Sequence, residues 1–92
     1  MTILEKINPS AQVFIVLKDV QGLRVEISWT SNPSQGTFLS YAEVIWDDGK
    51  IDDNLPPNGN ATHVYATYDH WNVIVNVYSK NTIVGHSNKI VM

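Results

Sequence analysis

An antiparallel β-sandwich is the fold class the sequence predicts, and three features predict it. Apolar residues alternate with polar ones at period 2, turn residues separate the alternating runs, and no segment carries a helical period. The 92 residues suffice for one hydrophobic core, since two cores this small would each be starved of buried surface. Hydrophobic residues make up 43% and charged residues 16%, a globular balance rather than a disordered one. Residues 11–92 are expected to form the domain, with residues 1–10 as a terminal arm or first edge segment.

Residues 12–17 read as the first strand. They are apolar on both sides, Val13, Ile15 and Leu17 against Phe14 and Val16, so alternation alone leaves the inward face open. Over residues 23–30, Leu23, Val25, Ile27 and Trp29 alternate with Arg24, Glu26, Ser28 and Thr30, a half-buried strand in which a helix would scatter the apolar groups. Residues 31–36 form a loop by composition, and Pro33 breaks any ladder through it. In residues 41–46, Ala42, Val44 and Trp46 oppose Tyr41, Glu43 and Ile45.

Asp48-Gly49 is a tight-turn pair, and residues 55–60 form a second loop stiffened by Pro56 and Pro57. A short strand follows at residues 61–65. In residues 71–78, Trp71, Val73, Val75 and Val77 share one face, opposite Asn72, Ile74, Asn76 and Tyr78. Asn81 is the expected left-handed turn residue before a final strand over residues 82–91, with a bulge or twist near Gly85 and His86. The count comes to about six or seven strands.

Composition excludes several function classes. The net charge is −3, and Lys6, Lys18, Arg24, Lys50, Lys80 and Lys89 are scattered, so there is no basic stripe for a nucleic acid. No run approaches the roughly 18 apolar residues of a membrane helix. Glu5, Lys6, Asn8 and Pro9 occupy the start where a secretory leader needs an apolar stretch, so none is expected. With no cysteine, neither disulfides nor thiolate chemistry is available.

Three segments carry a resemblance: Val44-Ile45-Trp46-Asp47-Asp48-Gly49, then Thr62-His63-Val64-Tyr65-Ala66, then the alternating run from Trp71 to Val77. In order and spacing they resemble the polycystic-kidney-disease-type (PKD) domain, an immunoglobulin-like β-sandwich. That family has an aromatic-ended strand, a Gly-Asp-Gly turn, a His-x-Tyr element and an aromatic-started strand of alternating valines. Asp47 stands where the family has its first turn glycine, implying another backbone path there. Asp69-His70 replaces the usual Pro-Gly. The resemblance implies a fold and a role in adhesion, spacing or surface display, and no enzymatic activity.

Residues that could carry chemistry also have structural roles open to them. His63 and Tyr65 read as structural, the Tyr65 hydroxyl satisfying a backbone group at a corner. Asp47, Asp48, Asp52 and Asp53 are the only calcium candidates, but their spacing is not that of an EF-hand loop, and turn formation accounts for them. His63, His70 and His86 lie on separate elements with no local ligand pair. No serine sits in a nucleophile elbow and no glycine-rich phosphate loop exists, so neither a catalytic residue nor a cofactor is expected.

Trp29, Trp46, Tyr65 and Trp71 are the expected structural core. Phe14, Ile45, Ile74 and Tyr78 are the expected partner-facing residues, because apolar groups stand there where a solvated face would show polar ones. The function expected is a non-enzymatic structural or binding protein, a virion accessory (capsid decoration) protein of a phage. It would be made in the host cytoplasm, displayed on the virion surface and partnered by a capsid or other virion protein. The alternative is an extracellular PKD-type spacer or carbohydrate-binding adhesion module of a bacterial surface protein or secreted hydrolase.

Overall fold

The computed structural model describes residues 9–88 and 90–91. The expected arm at residues 1–10 lies outside the described residues except for Pro9 and Ser10. The described strands are β1 (Ala11–Gln21), β2 (Arg24–Pro33), β3 (Tyr41–Ile45), β4 (Ile51–Leu55), β5 (Gly59–Val64), β6 (Asn72–Ser79), β7 (Thr82–His86) and the two-residue β8 (Ile90–Val91). They build two antiparallel sheets, β1-β2-β5 and β4-β3-β6-β7, with β8 also pairing β6. Among the described residues there is no helix.

Alternation selects the core. Val25, Ile27 and Trp29 of β2, Ala42 and Val44 of β3 with the following Trp46, and Val73, Val75 and Val77 of β6 are buried. They form one apolar cluster joined by Val13 and Tyr65. Truncating Ile27 or Trp46, neither of which reaches solvent, would cost about 2–5 kcal/mol through lost transfer energy and the cavity left behind.

The β1-β2 hairpin closes on Gly22-Leu23, since Gln21 pairs with Arg24. Gly22 takes φ 59° at the first turn position while Leu23 does not, the pattern of a type II′ turn, which suits the right-handed strand twist. The inward side of β1, open from sequence, carries Val13 and the half-buried Ile15, leaving Phe14 and Val16 outside. Beyond Leu17 the extra residue Lys18 bulges the ladder.

Four expectations need correction. No strand is expected over residues 51–55, since Ile-Asp-Asp-Asn-Leu has little β propensity, yet β4 forms there because β3 supplies its pairing. The β2 ladder runs to Pro33, paired with Ala11, where a missing N–H at the strand end is tolerated. The left-handed residue of the β6-β7 turn is Lys80, with φ 56°, not Asn81, because register puts Lys80 first in the two-residue turn.

The last expected strand is in fact two. Val84 is the bulged residue of β7, and Ser87 then interrupts the strand. Its N–H donates to the Val75 carbonyl at 2.8 Å, and its hydroxyl accepts from the Val75 N–H at 2.9 Å. A buried serine thus completes the backbone pairing of β6.

The crossing from β4 to β5 passes through Pro56-Pro57-Asn58. Prolines bring carbonyls without N–H groups, and side chains of β2 take them up. Trp29 Nε1 donates to the Pro56 carbonyl at 3.0 Å and Ser31 Oγ to the Pro57 carbonyl at 2.6 Å. Asn58 Oδ1 accepts from the Ser31 N–H.

Candidate functional site

The three motif segments meet at one end of the molecule. The Trp46 and His63 rings stack with centroids 4.7 Å apart, and Tyr65 meets the His63 ring edge-on at 4.7 Å. Trp71 lies parallel to Tyr65 at 4.7 Å. The Tyr65 hydroxyl donates to the Trp46 carbonyl at 2.8 Å, joining the end of β5 to the end of β3. Burial first, and then the nearby Asp48 and Asp47 carboxylates, push the Tyr65 phenol well above its ordinary range. A neutral, buried hydroxyl that bridges two sheets is a brace.

The aspartates are engaged in the same way. Asp47 takes φ 73°, so it adopts the left-handed backbone a glycine would, and its Oδ2 accepts from the Asn72 N–H at 3.0 Å. Asp48 accepts from the Lys50 N–H and pairs with His63 Nε2 at 2.7 Å. Burial works to raise the Asp48 pKa, but the His63 contact and the Lys50 N–H outweigh it and hold it below the ordinary value. Asp52 Oδ2 accepts from Trp46 Nε1 at 2.9 Å, and Asp53 accepts from the Asn54 N–H. Among the described residues no three acidic or histidine side chains gather as a metal set. His70 is exposed, and His86 Nδ1 lies 3.2 Å from the neighbouring Ser87 carbonyl.

Of the expected core residues, Trp29, Trp46 and Tyr65 are buried. Trp71 is only half-buried: it precedes β6, packs against the core at its margin and stacks on Tyr65. Trp71 lines an apolar recess of about 210 Å³ with Val20, Leu23, Tyr65 and Tyr68, and Asp69 at its wall. Tyr68 is 79% exposed.

Three of the four expected partner-facing residues share a surface, the outer face of the larger sheet. Cross-strand pairing aligns Ile51, Ile45 and Ile74 in one row, and Tyr41, Tyr78 and Ile83 in another. Between the rows lie Glu43, Asn76 and His86. The Tyr41 and Tyr78 rings stack at 4.6 Å, and Glu43 Oε1 accepts from both Tyr78 Oη at 2.7 Å and Asn76 Nδ2 at 3.0 Å. That hydrogen bond, helped by burial, pushes the Tyr78 pKa up to about 12. Phe14, the fourth, lies on the smaller sheet, opposite Thr30.

Sequence reasoning missed Ile51 and Ile83 as members of this face. Ile51 stands on an unrecognised strand, and the Val84 bulge shifts the phase of β7. The signal for Tyr41 and Glu43 was present, since they alternate with Ala42 and Val44. Compared with protein-family models, with curated proteins and with solved structures, the chain matches none.

Proposed function

We propose that the chain is a non-enzymatic binding domain that docks a protein partner through the outer face of its larger sheet. The observation that carries this reading is the row Ile51-Ile45-Ile74 beside the braced Tyr41-Tyr78 pair. It combines apolar contact area with side chains already held in place, so little conformational entropy is lost on docking. Engagement of the histidine and aspartates of the aromatic end in structural bonds supports the non-catalytic part. The strand order, β1-β2-β5 against β4-β3-β6-β7 with chain crossings between hairpins, supports an immunoglobulin-like sandwich of PKD type.

Within that class we place the protein on a virion surface as a phage capsid decoration protein. The support is a cysteine-free fold held by packing, which needs no oxidising compartment, together with the motif resemblance. Purified phage capsids should retain the chain at a fixed copy number, and Ile74→Lys should abolish retention without changing the far-ultraviolet spectrum. Retention unaffected by Ile74→Lys, or none by the native chain, defeats the reading.

Exposed Tyr68 beside the recess at Trp71 favours a second reading, a carbohydrate-binding module. It expects retardation in polysaccharide affinity gels that Tyr68→Ala removes, and unretarded migration of the native chain ends it.

A further inference from the structure

The recess of about 210 Å³ at Trp71 lies between the β1-β2 hairpin and the connection from β5 to β6. On the hairpin side, Val20 is paired with the buried Val25 and shares its inward face. Three aromatic side chains, Tyr65, Tyr68 and Trp71, line the recess from the connection, and Asp69 is the only charged residue of the lining. Tyr68 reaches across to the hairpin turn: its hydroxyl lies 3.5 Å from where a Cβ at Gly22 would stand. The rim is open to solvent, since Tyr68 is 79% exposed and Val20 49%.

We propose that this recess binds a trimethylammonium headgroup of the kind choline carries. Aromatic rings present negative faces that attract a cation, and the exposed Asp69 carboxylate adds charge of the same sign. Asp47, whose Oδ2 accepts from the Asn72 N–H, brings a second carboxylate to the residue after Trp71. No lysine, arginine or histidine is among the described lining residues. Arg24 alternates with the inward Leu23 and Val25, so it turns to the opposite face.

The methyl groups decide which cation fits. A primary ammonium would bring three N–H donors that a largely carbon wall cannot satisfy, whereas a trimethylammonium has none. An anion would face Asp69 and the ring faces, and is excluded on charge. The volume falls below the roughly 300–1,000 Å³ of sites that enclose a whole organic ligand, which suits a headgroup alone.

Titration of the full chain with choline, at ionic strength held constant with sodium chloride, tests this through tryptophan emission and amide NMR shifts. A saturable change with Kd on the order of 1 mM is expected, its shifts confined to the hairpin turn and the β5-β6 connection. Dimethylbutanol, the uncharged analogue in which carbon replaces the choline nitrogen, should bind about tenfold more weakly. Equal binding of the two would show a pocket indifferent to charge and overturns the proposal.

Tyr68→Ala and Asp69→Asn, both at exposed positions, should each weaken choline binding about threefold to tenfold with an unchanged far-ultraviolet spectrum. Asparagine keeps the bond to the His70 N–H, so Asp69→Asn should leave dimethylbutanol binding as it was, a split that a purely structural role would not give. Choline and phosphocholine carry the same headgroup, and the tighter of the two names its source. No saturable response up to roughly 50 mM choline, enough to fill a millimolar site, overturns the proposal. The capsid test involves no choline, so the two can fail separately. A chain retarded by polysaccharide yet blind to choline keeps the carbohydrate reading and ends this one.

Discussion

Tyr65 joins more of the structure than any other side chain of the aromatic end. Its ring is packed by His63 and Trp71, and its hydroxyl serves the Trp46 carbonyl. Tyr65→Phe keeps the stack and leaves a carbonyl at a buried corner without its donor. Chemical denaturation should therefore show a loss of about 1–3 kcal/mol. Asp48 gives the acid side of the stability profile. Its folded pKa lies below the ordinary 3.8, so its contribution is present above that value and lost as pH falls through the folded one. Asp48→Asn should flatten the fall in melting temperature in that window.

The alkaline side belongs to Tyr78. Its pKa is raised from 10.0 to about 12, so its contribution is intact below pH 10.0 and lost as pH rises through about 12. Absorbance titration should show a phenol ionising near pH 12 that vanishes in Tyr78→Phe, leaving the still later Tyr65. Persistence of the step near pH 12 in that variant would contradict the Glu43 hydrogen bond.

Individual strands of this molecule are ended and aimed by unusual backbone positions. Lys80 holds φ 56° in the β6-β7 turn, a conformation that crowds a side chain. Its N–H donates to Ser40 Oγ, a bond that glycine retains. Lys80→Gly should thus raise stability by about 0.5–1 kcal/mol in thermal or denaturant unfolding. Gly85 gives the opposite case. With its inward side against the Ala11 backbone, Gly85→Ala forces β1 and β7 apart and should cost about 1–3 kcal/mol. The pair distinguishes a glycine-like conformation held by a lysine from a close approach that only glycine permits.

Across the whole molecule, stability rests on packing between two sheets with no covalent crosslink. Trp29 and Trp46 are sealed inside, and Trp71 stands at the recess, so the three indoles differ in access to solvent. Iodide should quench only part of the native emission, and Trp71→Phe should abolish the quenchable part. Equal quenching of all three would contradict the two-sheet core.

The residue pattern alone determined which side of β2, β3 and β6 turns inward, because neighbouring side chains of a strand must point to opposite faces whatever the strand pairs with. Trp46, His63, Tyr65 and Trp71 were related only through the resemblance of their segments to a known family. What only the tertiary structure decided was everything that depends on a partner strand. Strand β4 exists because β3 pairs with its poor β-formers, and β1 chose its inward face because the opposite sheet lies on that side. Lys80 takes the left-handed position because the Ser79-Thr82 pairing demands it, and bulges at Lys18, Asn54 and Val84 shift phases that alternation would carry straight through. Alternation is a local property of one chain segment, whereas pairing and register are long-range, and their cost is met only when two sheets close on a shared core.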